Sequence, residues 1–563
     1  MSTQQLQGVV PFPVEFADRY RAAGVWGGKT IPQEFRTMAR ANPDALAMAT
    51  PTETTTYAEL DRQTDRIACG LRELGLMPGE RVILQFTNTP WAVLAWYGLL
   101  KAGLVPVASL AQHRHHEIAE ISRQTEPTAH LIQADFPGHD LVALARDIAK
   151  GQPSLRVVLT LNADPAPEGA VALESLLTAG PADDAEAAAI VDEIQRGIDP
   201  DSVAAMQLSG GTTSVPKVIP RLHAEYWFNA KAYAEAIELG PGRTVAHLLP
   251  VVHNAGIVCG VHAAHSTGAC FGLSPHDAAG MKALARQVPL THMMIPPPIA
   301  KHILEDPELR EALGTLTSAI WVLGRLNDPV IESFETDTCR IVQMFGMGEG
   351  LCLVTARDAP VAIRHLAVGS SICDLDEIRV YEPGTETEVV AGEPGEFCCR
   401  GPYTIRGYYR SPERNAEAFT SDGFYRTGDI VRQVDDGGTS YYVLEDRIKD
   451  VINRGGEKVN AAEVEGLLIR HPAIERAALV AMPDERLGER ACAFLVITAG
   501  HKAPSVSDLQ EYLHGLGVAK FKTPERVEVR PDLPLTNVDK VNKVTLRREI
   551  AALLEEERAA TAS

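Results

Sequence analysis

The sequence predicts an α/β protein: a large N-terminal domain of helix-covered, mostly parallel sheets with a small β subdomain, hinged to a small α+β C-terminal domain. Three observations carry this. Strand-like and helix-like patterns alternate from Ile31 to Gly180 and again from Val245 to Ile378, the signature of βα units around a parallel sheet. From Glu377 to Tyr409 the pattern changes to short strands separated by Pro383-Gly384, Gly392 and Pro394-Gly395, which reads as a small antiparallel β unit. A charged run, Glu445-Asp446-Arg447-Ile448-Lys449-Asp450, then precedes a C-terminal stretch with its own helix and strand pattern. The expected division is 1–445, a hinge at 446–449, and 450–563.

Each element has a local reason. The first residues are irregular, with Val10-Pro11-Phe12-Pro13, Tyr20 and Trp26 as anchors to the body. A helix opens at Tyr57-Ala58-Glu59-Leu60, repeats apolar residues at Ile67, Leu71 and Leu74, and stops at Gly75. Arg81–Phe86 reads as a strand, Trp91 to Ala102 as a helix closed by Gly103, and Val105–Ala108 as a strand. Ala182 to Arg196, rich in Ala, Asp and Glu, reads as an exposed helix. Further strands are expected at Leu248-Leu249-Pro250, Met293–Ile295 and Ala319–Leu323. His113-Arg114-His115-His116-Glu117 lacks the i, i+4 histidine spacing of a helical metal site and reads as a solvated loop or helix start.

Composition excludes several classes. A chain of 563 residues is too long for one core. The 53 Lys+Arg against 74 Asp+Glu give a net charge of −21, which argues against nucleic-acid or anionic-membrane binding, both of which need a basic face. Nine scattered cysteines without a C-x-x-C pair read as reduced thiols. No secretory leader and no apolar run of membrane-spanning length is visible, so a cytoplasmic location is expected.

The chemistry centres on Ser209-Gly210-Gly211-Thr212-Thr213-Ser214-Val215-Pro216-Lys217, placed between the apolar run Val203–Leu208 and the extended Val218-Ile219-Pro220-Arg221. Adjacent glycines and hydroxyls supply N–H and O–H donors for phosphate oxygens, and Lys217 adds a positive charge. The spacing is not that of the P-loop, and a plain surface turn would use the same residues. Four further segments join it. Phe345-Gly346-Met347-Gly348-Glu349-Gly350 carries one carboxylate, which with phosphate oxygens is how Mg²⁺ is commonly held. Thr427-Gly428-Asp429 ends in an acid that could grip a ribose diol. Arg447 to Lys458 forms the joint, and Leu533 to Lys543 is a lysine-bearing turn.

In this order and spacing the set resembles the adenylate-forming superfamily of acyl-CoA synthetases, nonribosomal peptide synthetase adenylation domains and luciferases. The resemblance runs from Tyr57 to Lys540. It is most similar to stand-alone aryl-acid AMP ligases acting on 2,3-dihydroxybenzoate or salicylate, through Pro11-Phe12-Pro13, His113-Arg114, Leu208–Thr213, Ile219-Pro220-Arg221, His253-Asn254, Phe345–Gly350 and Ile452–Val459. The resemblance implies an ATP-dependent activation of an ortho-substituted aryl acid to aryl-AMP, then acyl transfer to a nucleophile such as the phosphopantetheine thiol of a carrier protein. Siderophore or antibiotic biosynthesis is the implied setting. Lys540, Glu349 and His253 would form the catalytic group, with Glu349 holding Mg²⁺. ATP would meet Ser209, Gly210, Gly211, Thr212, Thr213, Lys217, Phe345, Gly346, Met347, Asp429, Arg447 and Lys540. His253, Asn254, Ala255, Cys259, Leu323, Gly324, Gly348 and Cys352 would line the aryl pocket, and Lys449 would be the hinge.

Several residues depart from the family pattern: Ser214, Asp446, Gly348, Leu323 and Asp539. Ala255 stands where an aromatic residue normally covers the ring, which implies a wider pocket. Cys259 stands where dihydroxybenzoate enzymes tend to have Ser, which suits an acid without a hydrogen-bonded 3-hydroxyl. No charged catalytic group is lost. An aryl-CoA ligase using free coenzyme A shares the first half-reaction, and a non-catalytic ATP binder is a further alternative. No carrier motif follows Lys543, so the acceptor is expected to be a separate protein.

Overall fold

The computed structural model describes residues 6–562, apart from 164, 210–215, 276, 323–325, 327, 448–449, 455–456, 485–486, 517, 519 and 536–539. Two compact units emerge. The first comprises Met1–Gly211, Val215–Glu377 and Cys399–Tyr425, and the second Thr212–Ser214, Ile378–Cys398 and Arg426–Ser563.

The first unit is built on two sheets. The seven-stranded sheet runs in the order Val171–Ala172, Val157–Leu161, Ala129–Gln133, Arg81–Phe86, Val105–Leu110, Val203–Leu208, Val218–Leu222. Every pairing in it is parallel except the last, an antiparallel hairpin. The nine-stranded sheet runs in the order Ser370–Ser371, Cys352–Val354, Arg340–Gly346, Ser318–Trp321, His292–Ile295, Thr244–His247, Cys270–Leu273, Leu46–Ala49, Thr54–Thr56. Its interior pairings are parallel, and antiparallel strands close both ends. The expected α/β character is present.

One apolar cluster joins the sheets. It takes Val82 and Leu84 from the first, Val245, Phe271, Ile320 and Val342 from the second, and Phe35, Leu60, Trp96, Tyr97 and Tyr233 from the helices. The helix Tyr57–Glu73 starts at Thr56, whose hydroxyl accepts from Glu59 N–H while Glu59 accepts from the Thr56 N–H. Helices Pro90–Lys101 and Asp184–Arg196 fall where the sequence placed them. The N-terminal anchors are also seen: Phe12, Tyr20 and Trp26 pack together, and the Trp26 indole donates to Pro402 O at 2.8 Å. His113 leads into the helix His115–Thr125, and its Nδ1 is 2.9 Å from the Ser109 hydroxyl. One expected strand is absent: the strand is Thr244–His247, and Leu248-Leu249-Pro250 follows it as a loop.

The second unit contains most of a four-stranded sheet, ordered Glu377–Tyr381, Pro394–Arg400, Tyr425–Asp436, Thr439–Arg447. It also holds a five-stranded sheet centred on the antiparallel pair Ile474–Asp484 and Gly488–Ile497. Period-two alternation divides that pair between two cores. Ala477, Leu479, Ala491, Ala493 and Leu495 face helices Ala461–Leu468 and Val506–Gly515. Ala478, Val480, Cys492, Phe494 and Val496 pack with Leu546 and Ile550 of the helix Lys543–Ala562. All nine cysteines are free thiols.

Candidate active site

In the first unit, the loops leaving the C-terminal ends of Thr244–His247 and Arg340–Gly346 converge, the position where α/β sheets present ligand sites. After Gly346 the chain turns through Met347–Leu351 and returns as Cys352–Val354, pairing Gly346 with Cys352. Gly350 makes that turn possible. Its φ is 129°, and a Cβ there would lie 1.7 Å from Tyr403 O. The close approach lets Ile405 N–H donate to Glu349 O at 2.9 Å, so the carboxylate stands on an anchored backbone.

Glu349 is 8% exposed, and its Oε1 accepts from the Tyr408 hydroxyl at 2.6 Å. The Lys217 ammonium is 3.4 Å from that hydroxyl and 4.7 Å from the ring centroid. Lys217 reaches this point from the tip of the hairpin Val203–Leu208/Val218–Leu222, where Ser209 N–H donates to Lys217 O at 3.0 Å and Lys217 N–H to Ser209 Oγ at 3.2 Å. Tyr408 therefore brings the lysine of the glycine loop and the carboxylate of the second loop to one phenol. Burial, with Glu349 beside it, pushes the Tyr408 hydroxyl far above its usual range, so it stays a donor.

Arg221, on the edge strand of the hairpin and fully buried, ties this loop to the next. It donates to Gly348 O at 2.9 Å and Asn254 Oδ1 at 3.2 Å, and both of its other nitrogens meet Glu225, at 2.8 and 2.9 Å. Burial opposes its charge, but Glu225 outweighs that and holds its pKa above the usual value. A relay converges on the same amide: Gln207 Nε2 donates to Tyr226 Oη, which donates to Asn254 Oδ1, each at 3.0 Å. With its oxygen taken twice, Asn254 presents its NH₂ as the donor. That NH₂ lies 3.5 Å from Met347 O. His253 precedes it, and its Nδ1 accepts from Ala255 N–H at 3.3 Å, which leaves the ring hydrogen of the neutral imidazole on Nε2.

Beyond Asn254 the chain enters a π-helix, Gly256–His262, a form frequent at functional sites. Gly256 permits the entry, since a Cβ there would fall 2.3 Å from Val251 O. Cys259 and Cys352 are buried, and burial raises both thiols far above the usual range, with Cys259 adding to the effect on Cys352. They are apolar wall, not nucleophiles. Ala255 is half-buried beside them.

In the second unit, Asp429 and Arg447 are directly opposed in the strand register. Asp429 is 3% exposed, and its N–H donates to Thr427 Oγ1 at 3.0 Å. Lys540 is exposed, next to an isolated bridge between Leu535 and Val541. Gly210, Gly211, Thr212 and Thr213 of the glycine loop, Leu323 and Gly324 of the pocket, and Lys449 of the hinge lie outside the described residues, as does the Arg447 side chain.

The structure thus unites Ser209, Lys217, Gly348, Glu349, His253 and Asn254 in one unit. Sequence reasoning missed Tyr408, Tyr226, Gln207 and Glu225, and quoted Arg221 without giving it a role. Arg221 with Glu225 four residues on was the one available signal.

A single buried carboxylate suits a hard cation that completes its shell with substrate oxygens. Among the described residues no group of three or more His, Cys, Asp or Glu is placed to hold a metal by itself. Among the described residues no helix is long and apolar enough to cross a membrane.

Residues 35–409 match the family described as AMP-binding enzyme, and residues 463–540 its C-terminal domain. Over the full length the chain is similar to pyochelin synthase PchD of Pseudomonas aeruginosa (strain PAO1), 38% identical over 97% of this chain and 96% of the relative. It is also similar to the salicyl-AMP ligase / salicyl-S-ArCP synthetase of Mycobacterium tuberculosis, 36% identical over 97% and 95%. The 2,3-dihydroxybenzoate-AMP ligase of Bacillus subtilis is 35% identical over 98% and 99%. Among solved structures, apo MbtA of Mycobacterium smegmatis superposes with a TM-score of 0.70, at 34% identity over 96% of this chain and 99% of that one.

Proposed function

Because the chain belongs to the family of AMP-binding enzymes, we propose that it activates an ortho-substituted aryl carboxylic acid with ATP and passes the acyl group to a thiol. Its full-length relatives include aryl-acid AMP ligases. The observation that carries the aryl reading is the oriented Asn254 amide, whose oxygen is consumed by Tyr226 and Arg221 so that its NH₂ is the group left to donate. A planar acid with a hydroxyl or amino group ortho to its carboxylate offers the matching acceptors.

In the first half-reaction a carboxylate oxygen attacks the α-phosphorus of ATP. The new O–P bond forms as the bond to the β-phosphate breaks, and pyrophosphate leaves. Lys217 and the glycine loop would hold the β,γ-phosphates, Phe345, Gly346 and Met347 would border the nucleotide, and Asp429 with Arg447 would hold the ribose. Lys540 would balance the charge that builds between carboxylate and α-phosphate, and the His253 Nε2–H would donate to an oxygen of the acid or phosphate. Glu349 would hold Mg²⁺, which neutralises phosphate charge when bound. Tyr408 would fix the Glu349 carboxylate and Lys217 relative to each other.

In the second half-reaction a thiol sulfur attacks the acyl carbon, the thiol proton is released, and AMP leaves. The C-terminal region from 450 to 563 would turn about Lys449 between the two steps. The acceptor we favour is the phosphopantetheine thiol of a separate carrier protein; the M. tuberculosis relative is a salicyl-S-ArCP synthetase. A Streptomyces relative described as a salicylyl-CoA synthase / salicylate adenylyltransferase supports free coenzyme A as the second reading. Relatives that make pyochelin and vibriobactin components support a siderophore or other secondary-metabolite setting.

Incubation with ATP, Mg²⁺ and salicylate or a related ortho-substituted acid should yield aryl-AMP detectable by mass spectrometry. A phosphopantetheinylated carrier should then discharge it faster than coenzyme A. Failure of every aryl acid to form the adenylate, while an aliphatic acid succeeds, would overturn the aryl assignment.

A further inference from the structure

Where the chain leaves the nine-stranded sheet on its way to His253, a side chain from beside the other sheet receives it. The strands Thr244–His247 and Cys270–Leu273 pair in parallel, and their register ends with His247 opposite Leu273. The next residue on each, Leu248 and Ser274, gives its carbonyl to the amide nitrogen of Asn88, at 3.0 and 3.1 Å. Leu249 O accepts from the same nitrogen at 3.0 Å, and Val251 N–H donates to Asn88 Oδ1 at 2.8 Å. Asn88 itself lies between the strand Arg81–Phe86 of the seven-stranded sheet and the helix Pro90–Lys101, and it is half-buried.

The orientation of this amide is fixed by its partners. A carbonyl only accepts and a backbone N–H only donates, so the NH₂ faces the three carbonyls and the oxygen faces Val251. Buried backbone groups that leave a ladder need new partners, and Asn88 supplies them at Leu248, Leu249 and Val251. That is why Leu248-Leu249-Pro250, as apolar as a strand, departs from the sheet at this point. The constraint passes on within a few residues. Val251 is held on both sides, its N–H by Asn88 and its carbonyl against Gly256, where a Cβ would lie 2.3 Å from Val251 O. Pro250 O then accepts from His253 N–H at 3.0 Å, and His253 O from Ile257 N–H at 3.1 Å. Val251 and Val252 are each 1% exposed, so this turn is packed as well as hydrogen-bonded.

We propose that Asn88 is a positioning residue for the adenylation step, which fixes the turn that places His253 and acts on the reaction through His253. The neighbouring Asn254 side chain has ties of its own, to Tyr226 and Arg221. Glu349 and Lys217 take their places from other segments, the turn at Gly350 and the tip of the hairpin. The influence of Asn88 therefore falls on His253 and not on the groups assigned to the β,γ-phosphates and Mg²⁺. The proposal rests on the ligase reading of His253 and deepens it: the donor at the acid is held by a residue from beside the other sheet of the first unit.

The test is a double-mutant cycle read by ATP–pyrophosphate exchange with the full-length enzyme and the acid that supports exchange best. It compares the wild type, Asn88→Ala, His253→Ala and the double variant, with thermal midpoints confirming that each is folded. With His253 intact, Asn88→Ala should lower kcat/KM for the acid by about 10- to 100-fold, the scale of a displaced catalytic group, and leave KM for MgATP within about twofold. In the His253→Ala background the same change should cost less than about threefold, because the group it positions is gone. Asn88→Ser, a milder change, carries the same cycle where Asn88→Ala reduces the folded fraction. An equal loss in both backgrounds, or a matching rise in KM for MgATP, would overturn the proposal, make Asn88 a general support of the fold, and leave the ligase reading standing. Exchange with no acid would overturn both.

Discussion

Two residues of the site have opposite legibility. Glu349 stands out in the sequence because a lone carboxylate in a glycine-rich turn has few structural uses. Tyr408 is invisible there, since its role lies in its contacts with Glu349 and Lys217. Both are testable. Glu349→Gln keeps the shape and removes the charge, and should cut kcat for exchange by about 10²–10³, with the loss not rescued by excess ATP. Tyr408→Phe removes the hydroxyl's bonds to Glu349 and Lys217, and should cost about tenfold or more in kcat/KM for MgATP while the variant folds normally. A Tyr408→Phe enzyme with unaltered ATP kinetics would show that the phenol only packs. Arg221 and Asn254 were both quoted as motif residues, but the relay from Gln207 through Tyr226 that orients Asn254 required contacts made across the fold.

Among the elements, the βα alternation was readable because buried parallel strands are short apolar runs between amphipathic helices. The hairpin around the glycine loop was readable as two extended runs. What escaped was the stretch after Thr244–His247. Leu248-Leu249-Pro250 has a strand's composition, but there the chain leaves the sheet and enters a π-helix that no periodicity announces. The tight turn at Gly350 was equally silent, since a glycine in a sequence does not say whether its φ is positive or what it touches. Here it decides the loop. Gly350→Ala places a methyl on Tyr403 O at a φ that alanine avoids. It should destabilise the first unit by about 3 kcal/mol or more and abolish exchange, read as a lower thermal midpoint. An alanine enzyme of ordinary stability and activity would contradict the account of how Glu349 is positioned.

Across the molecule, burial of titratable groups sets the pH dependence of stability. Seven histidines are lowered by burial: His130, His223 and His247 are pushed down to about 3, His265 and His292 to about 4, His262 far below its usual value, and His113 below it. Unfolding lets each take up a proton below its free value of about 6.5. Their contribution is therefore complete above that value and is lost as pH falls toward 4, at about 1.4 kcal/mol per pH unit for each. Asp376, raised by burial to about 7 and hydrogen-bonded to Ser371 and Tyr403, has the opposite sign: its contribution is complete below its free value and lost as pH rises to 7. The seven lowered histidines outnumber the raised carboxylates Asp376, Asp65 and Glu225, which predicts a net uptake of protons on unfolding near pH 5, read from the slope of unfolding free energy against pH. A flat profile from pH 7 to 5 would contradict it.

The proposed reaction couples an ortho-substituted aryl acid to AMP with Lys540 at the reacting centre. ATP–pyrophosphate exchange tests it most directly, run with salicylate, dihydroxybenzoate, anthranilate, hydroxyanthranilate, hydroxypicolinate, benzoate and a medium-chain fatty acid, in the wild-type protein and in Lys540→Ala. Exchange is expected with one or a few ortho-substituted aryl acids, little with benzoate or the fatty acid, and a drop of about 10²-fold or more in Lys540→Ala. Exchange driven best by the fatty acid, or undiminished in Lys540→Ala, would contradict it.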